Sequence, residues 1–384
     1  MADFKKIILS ETVFDYLKPT IFFMRLFGLA PFSYERVRKY YVIERSTKYT
    51  IYSFVLASIL GSITILGVIY DATSDRSLRM KTQNQKYIVI TDIGIVVWSV
   101  LLGVVISQYK LEQVLNVLRC IQKVSTVLKE PKNKLKKEKN VALTIGLSVY
   151  FILILIFGFD IYGWITRCKS AEERTRYFKY YSAYYILYLV VISQEISYCN
   201  FTYYVKNRII VLNAALLKEI KREPDIFLHK RASSKGKIDP LVSPKLLIGT
   251  EGDVLENYIL KSAKYSARNE LTPLTIRNFM TAHAEIYNAV NSINACFGYS
   301  LLFILISCLL HLVITPFFLI TGSQSNPLFT ALQATWILVH FGRLLIIVEP
   351  THRCLEENEK TNPLIVYLLS KVQDKEVKNE VSKA

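Results

Sequence analysis

The stretch VALTIGLSVYFILILIFGFDIYGWIT, residues 141–166, carries one charged side chain, Asp160, in an otherwise uncharged run. Wound as a helix at about 1.5 Å per residue, it exceeds the roughly 30 Å of hydrocarbon in a bilayer. Five further stretches share this character: 51–70, 87–108 (interrupted by Asp92), 180–205 (by Glu195), 297–321 (by His311) and 327–348 (by His340 and Arg343). Hydrophobic residues make up 52% of the 384 and charged residues only 21%, against the lower apolar and higher charged share of an ordinary soluble chain. The sequence therefore predicts an all-α fold, a polytopic helical membrane protein with six transmembrane helices.

Orientation follows from the basic residues beside the spans. Residues 1–50 contain nine Lys or Arg, 109–140 nine and 206–296 fourteen, whereas 71–86 has four, 167–179 five and 322–327 none. The alternation predicts a cytoplasmic amino terminus. The net charge of +17 then belongs to the face near anionic lipid, and no basic and aromatic nucleic-acid module accompanies it. No apolar core followed by a small-residue cleavage site occurs in the first fifty residues, so the first span serves as the insertion signal.

The expected organisation is a cytoplasmic segment at 1–50, a transmembrane domain at 51–348 with cytoplasmic helical extensions in 109–140 and 206–296, and a cytoplasmic tail at 349–384. In 111–128, Leu111, Val114, Leu115, Leu118, Ile121 and Leu128 recur at helical spacing, which continues the second span as a helix. PKNKLKKEKN (131–140) reads as a solvated turn that ends it. Residues 209–223 and 269–296 read as helices, and 224–245, with its Pro, Gly and Ser, as a connection between them. Apolar faces on such projecting helices must pack against each other or against another subunit.

Six scattered cysteines and the lack of paired CxxC or HxxxH spacing predict neither a disulfide framework nor a metal site. There is no GxSxG, no HExxH and no phosphate-cradling glycine loop, so neither catalytic residues nor a cofactor is expected.

FGLAPFSYE (27–35) before the first span, INACFGYSLL (293–302) at the entry to the fifth and CLEENEKTNPLIVYLL (354–369) after the sixth resemble insect gustatory receptors in order and spacing. Insect odorant receptors share the architecture, but the tail pattern favours the gustatory branch. The resemblance implies seven spans, an inward amino terminus, a plasma-membrane location, and a homo- or hetero-tetrameric ligand-gated cation channel that senses a small-molecule tastant. It also implies a pore-lining seventh span beyond YLLSKVQ (367–373). The sequence is thus expected to be cut short, unable to conduct alone yet able to assemble with complete partners.

Ionisable residues inside a span cost about 2.5–3.5 kcal/mol each on insertion scales and usually face a cavity or a partner. Helical spacing puts Tyr181, Tyr184, Tyr188, Glu195, Tyr198 and Thr202 on one face, and Gln333, Trp336, His340 and Arg343 on another. Asp92, Asp160, Tyr184, Tyr188, Thr315, Gln333 and Trp336 fall in the outer half of the bundle, with Glu195, His311 and His340 near the middle. The ligand-binding residues expected are Asp92, Asp160, Tyr184, Tyr188, Glu195, His311, Thr315, Gln333 and Trp336, because aromatic faces with a few hydrogen-bonding groups suit a small organic tastant. A structural reading stands beside it: Tyr180 and Tyr181 as interfacial belt anchors, Glu195 paired with His311 or His340, and Arg343 snorkelling to the headgroups. A transporter could instead use Asp92, Asp160 and Glu195 as an ion path.

Overall fold

The computed structural model describes residues 6–74, 79–80, 83–232, 273–322 and 327–371. Among them are eight helices: α1 (Glu11–Leu26), α2 (Thr47–Thr73), α3 (Gln83–Tyr109), α4 (Leu111–Val127), α5 (Lys132–Ile165), α6 (Ala171–Ala232), α7 (Pro273–Gly322) and α8 (Pro327–Lys371). Most of the expected connection at 224–245, the interior of the outer loop at 322–327 and the tail beyond residue 371 lie outside the described residues.

Five helices carry segments long and apolar enough to cross a bilayer: Thr47–Thr73, Lys86–Tyr109, Asn133–Ile165, Thr275–Pro316 and Thr330–Leu368. Each leaves a broad apolar face exposed, as with Leu66 at 63% and Phe151 at 64%. A surface this apolar suits lipid rather than water. The sixth expected span, 180–205, lies within α6 and is not among these five. Its composition has a physical reason. Residues from Tyr177 to Leu216 are buried at most positions, including Gln194, Glu195, Asn200 and Arg208. A helix enclosed by protein can carry polar groups that find partners there.

The chain packs as two compact units. The first comprises 1–122, 130–204 and 288–352. Within it α1 lies against α5 and α6: Tyr204 packs in a tilted arrangement 4.4 Å from Tyr16 and its hydroxyl lies 3.0 Å from Thr20, which also accepts from Asn200 at 3.1 Å. Tyr150 of α5 and Ser193 of α6 share a hydrogen bond of 2.6 Å. Gly67 of α2 sits so close to α6 that an added Cβ would lie 2.7 Å from the Tyr180 carbonyl oxygen.

The amino-terminal segment holds something the sequence reading did not anticipate, a three-stranded antiparallel sheet in the order β1 (Ile7–Ser10), β3 (Tyr40–Arg45), β2 (Phe32–Val37). Val37 faces Tyr40 across a two-residue turn in which Arg38 takes φ 56°, the left-handed geometry such hairpins require. Gly28 follows the end of α1 at φ 73°, and a Cβ added there would lie 3.1 Å from the Ser53 Cα, so any side chain would be both strained and crowded.

The second unit comprises 123–129, 205–287 and 353–384. Ile209, Leu212, Leu216, Ile276, Ala282 and Ile286 are buried in it. Asn213 donates to the Glu357 carbonyl at 2.9 Å and accepts from the Thr361 hydroxyl at 2.8 Å. Arg208 donates to Ser125 at 3.2 Å, and Lys123 pairs with Glu285 at 2.6 Å.

Two expectations need correction. The second span does not run unbroken into the cytoplasmic helix, because α3 ends at Tyr109 and α4 begins at Leu111. Residues 132–140 are not a turn but the opening of α5. Pro131 occupies the N-cap position, where its missing N–H costs nothing, and the lysine-rich segment that follows is a good helix former. The apolar face of α4 is covered within the chain: Leu111, Val114, Leu115, Leu118 and Ile121 are all at least 95% buried, so it gives no argument for another subunit.

Candidate ligand-binding site

Two polar layers meet along α6 in the first unit. The first is centred on Asp160, near the carboxyl end of α5. Arg79, in the connection between α2 and α3, reaches into the bundle, and its Nη2 donates to Asp160 at 3.2 Å, Tyr177 at 2.6 Å and Tyr185 at 3.0 Å. Tyr185 also donates to Asp160 Oδ2, while Trp336 Nε1 of α8 donates to Oδ1 at 3.1 Å. Both carboxylate oxygens are thus satisfied. The Arg79 guanidinium lies 4.6 Å over the Trp164 ring and 4.4 Å over Tyr181, a favourable placement for a cation. Tyr181 in turn donates to Asp71 at 2.7 Å, and the Arg79 backbone N–H to the same oxygen at 3.1 Å.

The second layer is centred on Arg343 of α8, which is fully enclosed. Its Nε and Nη2 both donate to Glu195 Oε1, at 2.9 and 2.6 Å, and its Nη1 donates to Tyr188 at 2.6 Å. Nη1 also lies 3.3 Å from His340 Nδ1. Arginine only donates, so this contact makes Nδ1 the acceptor and puts the imidazole proton on Nε2. Among the described residues that Nε2 has no partner, and neither does Glu195 Oε2, although both residues are completely buried. The layer therefore contains one unused donor and one unused acceptor. Buried groups of this kind ordinarily find a partner in a protein group, a water or a ligand.

Aromatic rings join the layers. Trp336 stacks on His340 at 5.7 Å, and Tyr188 meets Trp336 edge-on at 5.5 Å. Phe157 lies 5.1 Å from Tyr185 and 5.8 Å from Tyr188. His340 stacks on His311 of α7 at 3.8 Å, and His311 Nε2 lies 2.6 Å from Asp92 of α3.

The fold thus brings together Asp92, Asp160, Tyr188, Glu195, His311 and Trp336, and Tyr184 joins them through its ring, 6.3 Å from Tyr188. Thr315 is buried and Gln333 half-buried, and among the described residues neither bonds to either layer. Several structural expectations are overturned. Glu195 pairs with Arg343 and not with a histidine, since the guanidinium offers two parallel donors that imidazole lacks. Arg343 does not snorkel, being held inside by that carboxylate. Tyr181 is no belt anchor, because its hydroxyl is buried on Asp71. The sequence reading missed Arg79, Asp71, Tyr177, Tyr185 and Phe157. A loop arginine gives no periodic signal, although Tyr177 continues the α6 tyrosine stripe one turn before Tyr181.

The residues that carried the resemblance have physical roles in this fold. Phe297 packs 6.0 Å from Tyr198 and 5.9 Å from Phe201, and Cys296 Sγ donates to the Lys110 carbonyl at 3.6 Å. Glu357 and Thr361 hold Asn213 as described above. The family model for the 7tm chemosensory receptors matches residues 17–383. The chain belongs to that family. It is 26% identical over 366 residues to the gustatory receptor for sugar taste 43a of Drosophila melanogaster, a match covering 91% of this chain and 84% of that protein. The family is one of receptors and not of enzymes, and its membrane-embedded character agrees with the apolar helices of this receptor.

Proposed function

We propose that the protein is a gustatory receptor subunit of the ligand-gated cation channel type, and that its tastant is a sugar-like polyol seated among Trp336, His340 and Glu195. The observation that carries the ligand chemistry is the unused pair in the second layer, Glu195 Oε2 and His340 Nε2–H, with the Trp336 ring stacked on His340. A hydroxyl both donates and accepts, so one polyol can serve both groups. The indole face covers the C–H face of a sugar ring. An alkaloid cation would instead meet Arg343, which already occupies the Glu195 carboxylate. The name of the Drosophila relative supports the sugar class.

Residues 180–205 of α6 serve as a sixth span in this reading, with the amino terminus in the cytoplasm and the protein in the plasma membrane. The basic flanks at 1–50 and 109–140 support that orientation. Assembly is as a homo- or hetero-tetramer with other receptor subunits. The test is a thermal-shift and tryptophan-fluorescence titration of the purified chain with a panel of hexoses and polyols, with alkaloids as the opposing panel. Saturable stabilisation by at least one sugar is expected, weakened at least tenfold in Trp336→Ala while the protein stays monodisperse. Stabilisation by alkaloids alone would overturn the sugar assignment. A ligand-evoked cation current in cells co-expressing a second receptor subunit tests the channel reading, whereas slow saturable uptake would favour a transporter.

A further inference from the structure

The lysine-rich opening of α5 is absorbed by neither polar layer. A surface hollow of about 530 Å³ runs along it, lined by Asn133, Lys136, Lys137, Asn140, Val141 and Ile145, with Thr144 between the last two. These positions recur every three or four residues, so they form one stripe of a single helix. The stripe changes character along its length. Its first four members are carboxamides and ammonium groups, and from Val141 it enters the apolar run, with Ile145 36% exposed. The hollow therefore straddles the level at which headgroups give way to hydrocarbon.

Among the described residues no acidic group neutralises the charge there. Lys134, on the neighbouring face, takes the nearby carboxylates, lying 4.0 Å from Glu130 and 3.9 Å from Glu138. Among the described residues Lys136 and Lys137 are exposed and have no acidic partner. The helix end adds to the effect, because Pro131 provides no side-chain cap and the first-turn N–H groups point outward with the positive end of the helix dipole. Charge, carboxamide donors, a hollow and an adjoining apolar wall together match one kind of molecule.

We propose that this hollow binds an anionic phospholipid, its phosphate held by Lys136, Lys137, Asn133 and Asn140 and the upper part of its acyl chain lying on Val141 and Ile145. Basic residues at the membrane boundary attract such lipids by about fivefold in affinity for each lysine. The bound lipid would fix the height of α5 in the bilayer, and α5 carries Asp160 twenty residues further on. This inference stands apart from the tastant reading, since it uses none of the same side chains.

The test uses the full chain in detergent, exposed in turn to phosphatidylcholine, to phosphatidylserine, to a phosphoinositide and to water-soluble inositol phosphate, with bound lipid counted by native mass spectrometry. Retention of the anionic lipids over phosphatidylcholine is expected, falling roughly 25-fold in Lys136→Gln/Lys137→Gln at the fivefold attraction per lysine. A control, Lys39→Gln/Lys48→Gln, changes exposed lysines elsewhere and should leave retention unaltered. Equal retention of phosphatidylcholine, or an equal loss in the control, would overturn the site. Displacement of the lipid by inositol phosphate at equal concentration would also overturn it, because a free phosphate would then be the ligand. Ile145→Ser, which leaves the charges in place, should lower lipid retention without changing inositol phosphate binding.

Discussion

The Asp160 and Glu195 layers hold the same chemistry, an arginine on a carboxylate ringed by tyrosine and tryptophan, yet they are built in opposite ways. Arg79 comes from a connection outside the helices, its side chain is 12% exposed, and both oxygens of Asp160 are satisfied. Arg343 comes from within α8, is 3% exposed, and leaves Glu195 Oε2 and His340 Nε2 without partners. The first layer satisfies its carboxylate and leaves only Arg79 Nε without a partner among the described residues, and it pins a loop to the bundle. The second leaves a buried donor and a buried acceptor unused, and these are the groups on which the sugar reading proposed above rests. Polar content alone does not separate a structural clasp from the binding site proposed above; the difference lies in the carboxylate, whose oxygens are both used in Asp160 and only one in Glu195.

The sharpest attack on this contrast is Glu195→Ala, which strands the Arg343 charge inside the bundle. Loss of about 3–5 kcal/mol is expected, seen as a collapse in the yield of folded protein. The double change Glu195→Leu/Arg343→Met should recover most of that stability, because it removes both charges, and should still abolish sugar binding.

Arg79→Ala should cost about 1.5–3 kcal/mol, the usual range for a hydrogen bond to a charged group. Thermal unfolding of the purified chain measures it. Arg79→Lys should rescue little, since an ammonium cannot reach Asp160 and both tyrosines in the same planar arrangement. Sugar binding should survive in either variant at a temperature where the protein is folded, and its loss would mean that the layers act as one.

Trp336→Phe keeps an aromatic ring but removes the indole N–H from Asp160. A loss of about 1 kcal/mol in stability is expected. The weakest effect anticipated is Lys123→Gln in the second unit, where the exposed ion pair with Glu285 should contribute within about 0.5 kcal/mol, shrinking further in high salt. A larger loss there would show that exposed pairs in this protein behave like the enclosed ones.

Much of the helical framework was legible because lipid imposes a length and a composition on helices that face it. Ile59, Leu66, Phe151 and Leu155 sit outward as such a rule demands. The same rule reads α6 less plainly, because its neighbours are protein, so its polar residues obey partner geometry and not hydropathy. The stripe Tyr188, Glu195 and the pair Trp336, His340 were readable from spacing. Their cross-helix partners were not, because nothing along the chain says that residue 343 will face residue 195 or that residue 79 will fold back onto residue 160. The amino-terminal sheet was missed for a different reason. In YERVRKYYVIER (34–45) the alternation is short and diluted by charge, and the turn uses Arg38 where Gly or Asn would have announced it.

The tyrosines, glutamine and glutamate enclosed along α6 also bear on how the polypeptide is made. A translocon presented with 180–205 alone meets a segment that oil rewards weakly, whereas 141–166 enters readily. In the six-span reading proposed above, the five-residue turn 166–170 would join the two as one hairpin, so that the reluctant half is carried in by the willing half. Nascent chains released before α7 and α8 emerge lack Arg343 for Glu195, and such intermediates are the ones that quality-control proteases should capture first.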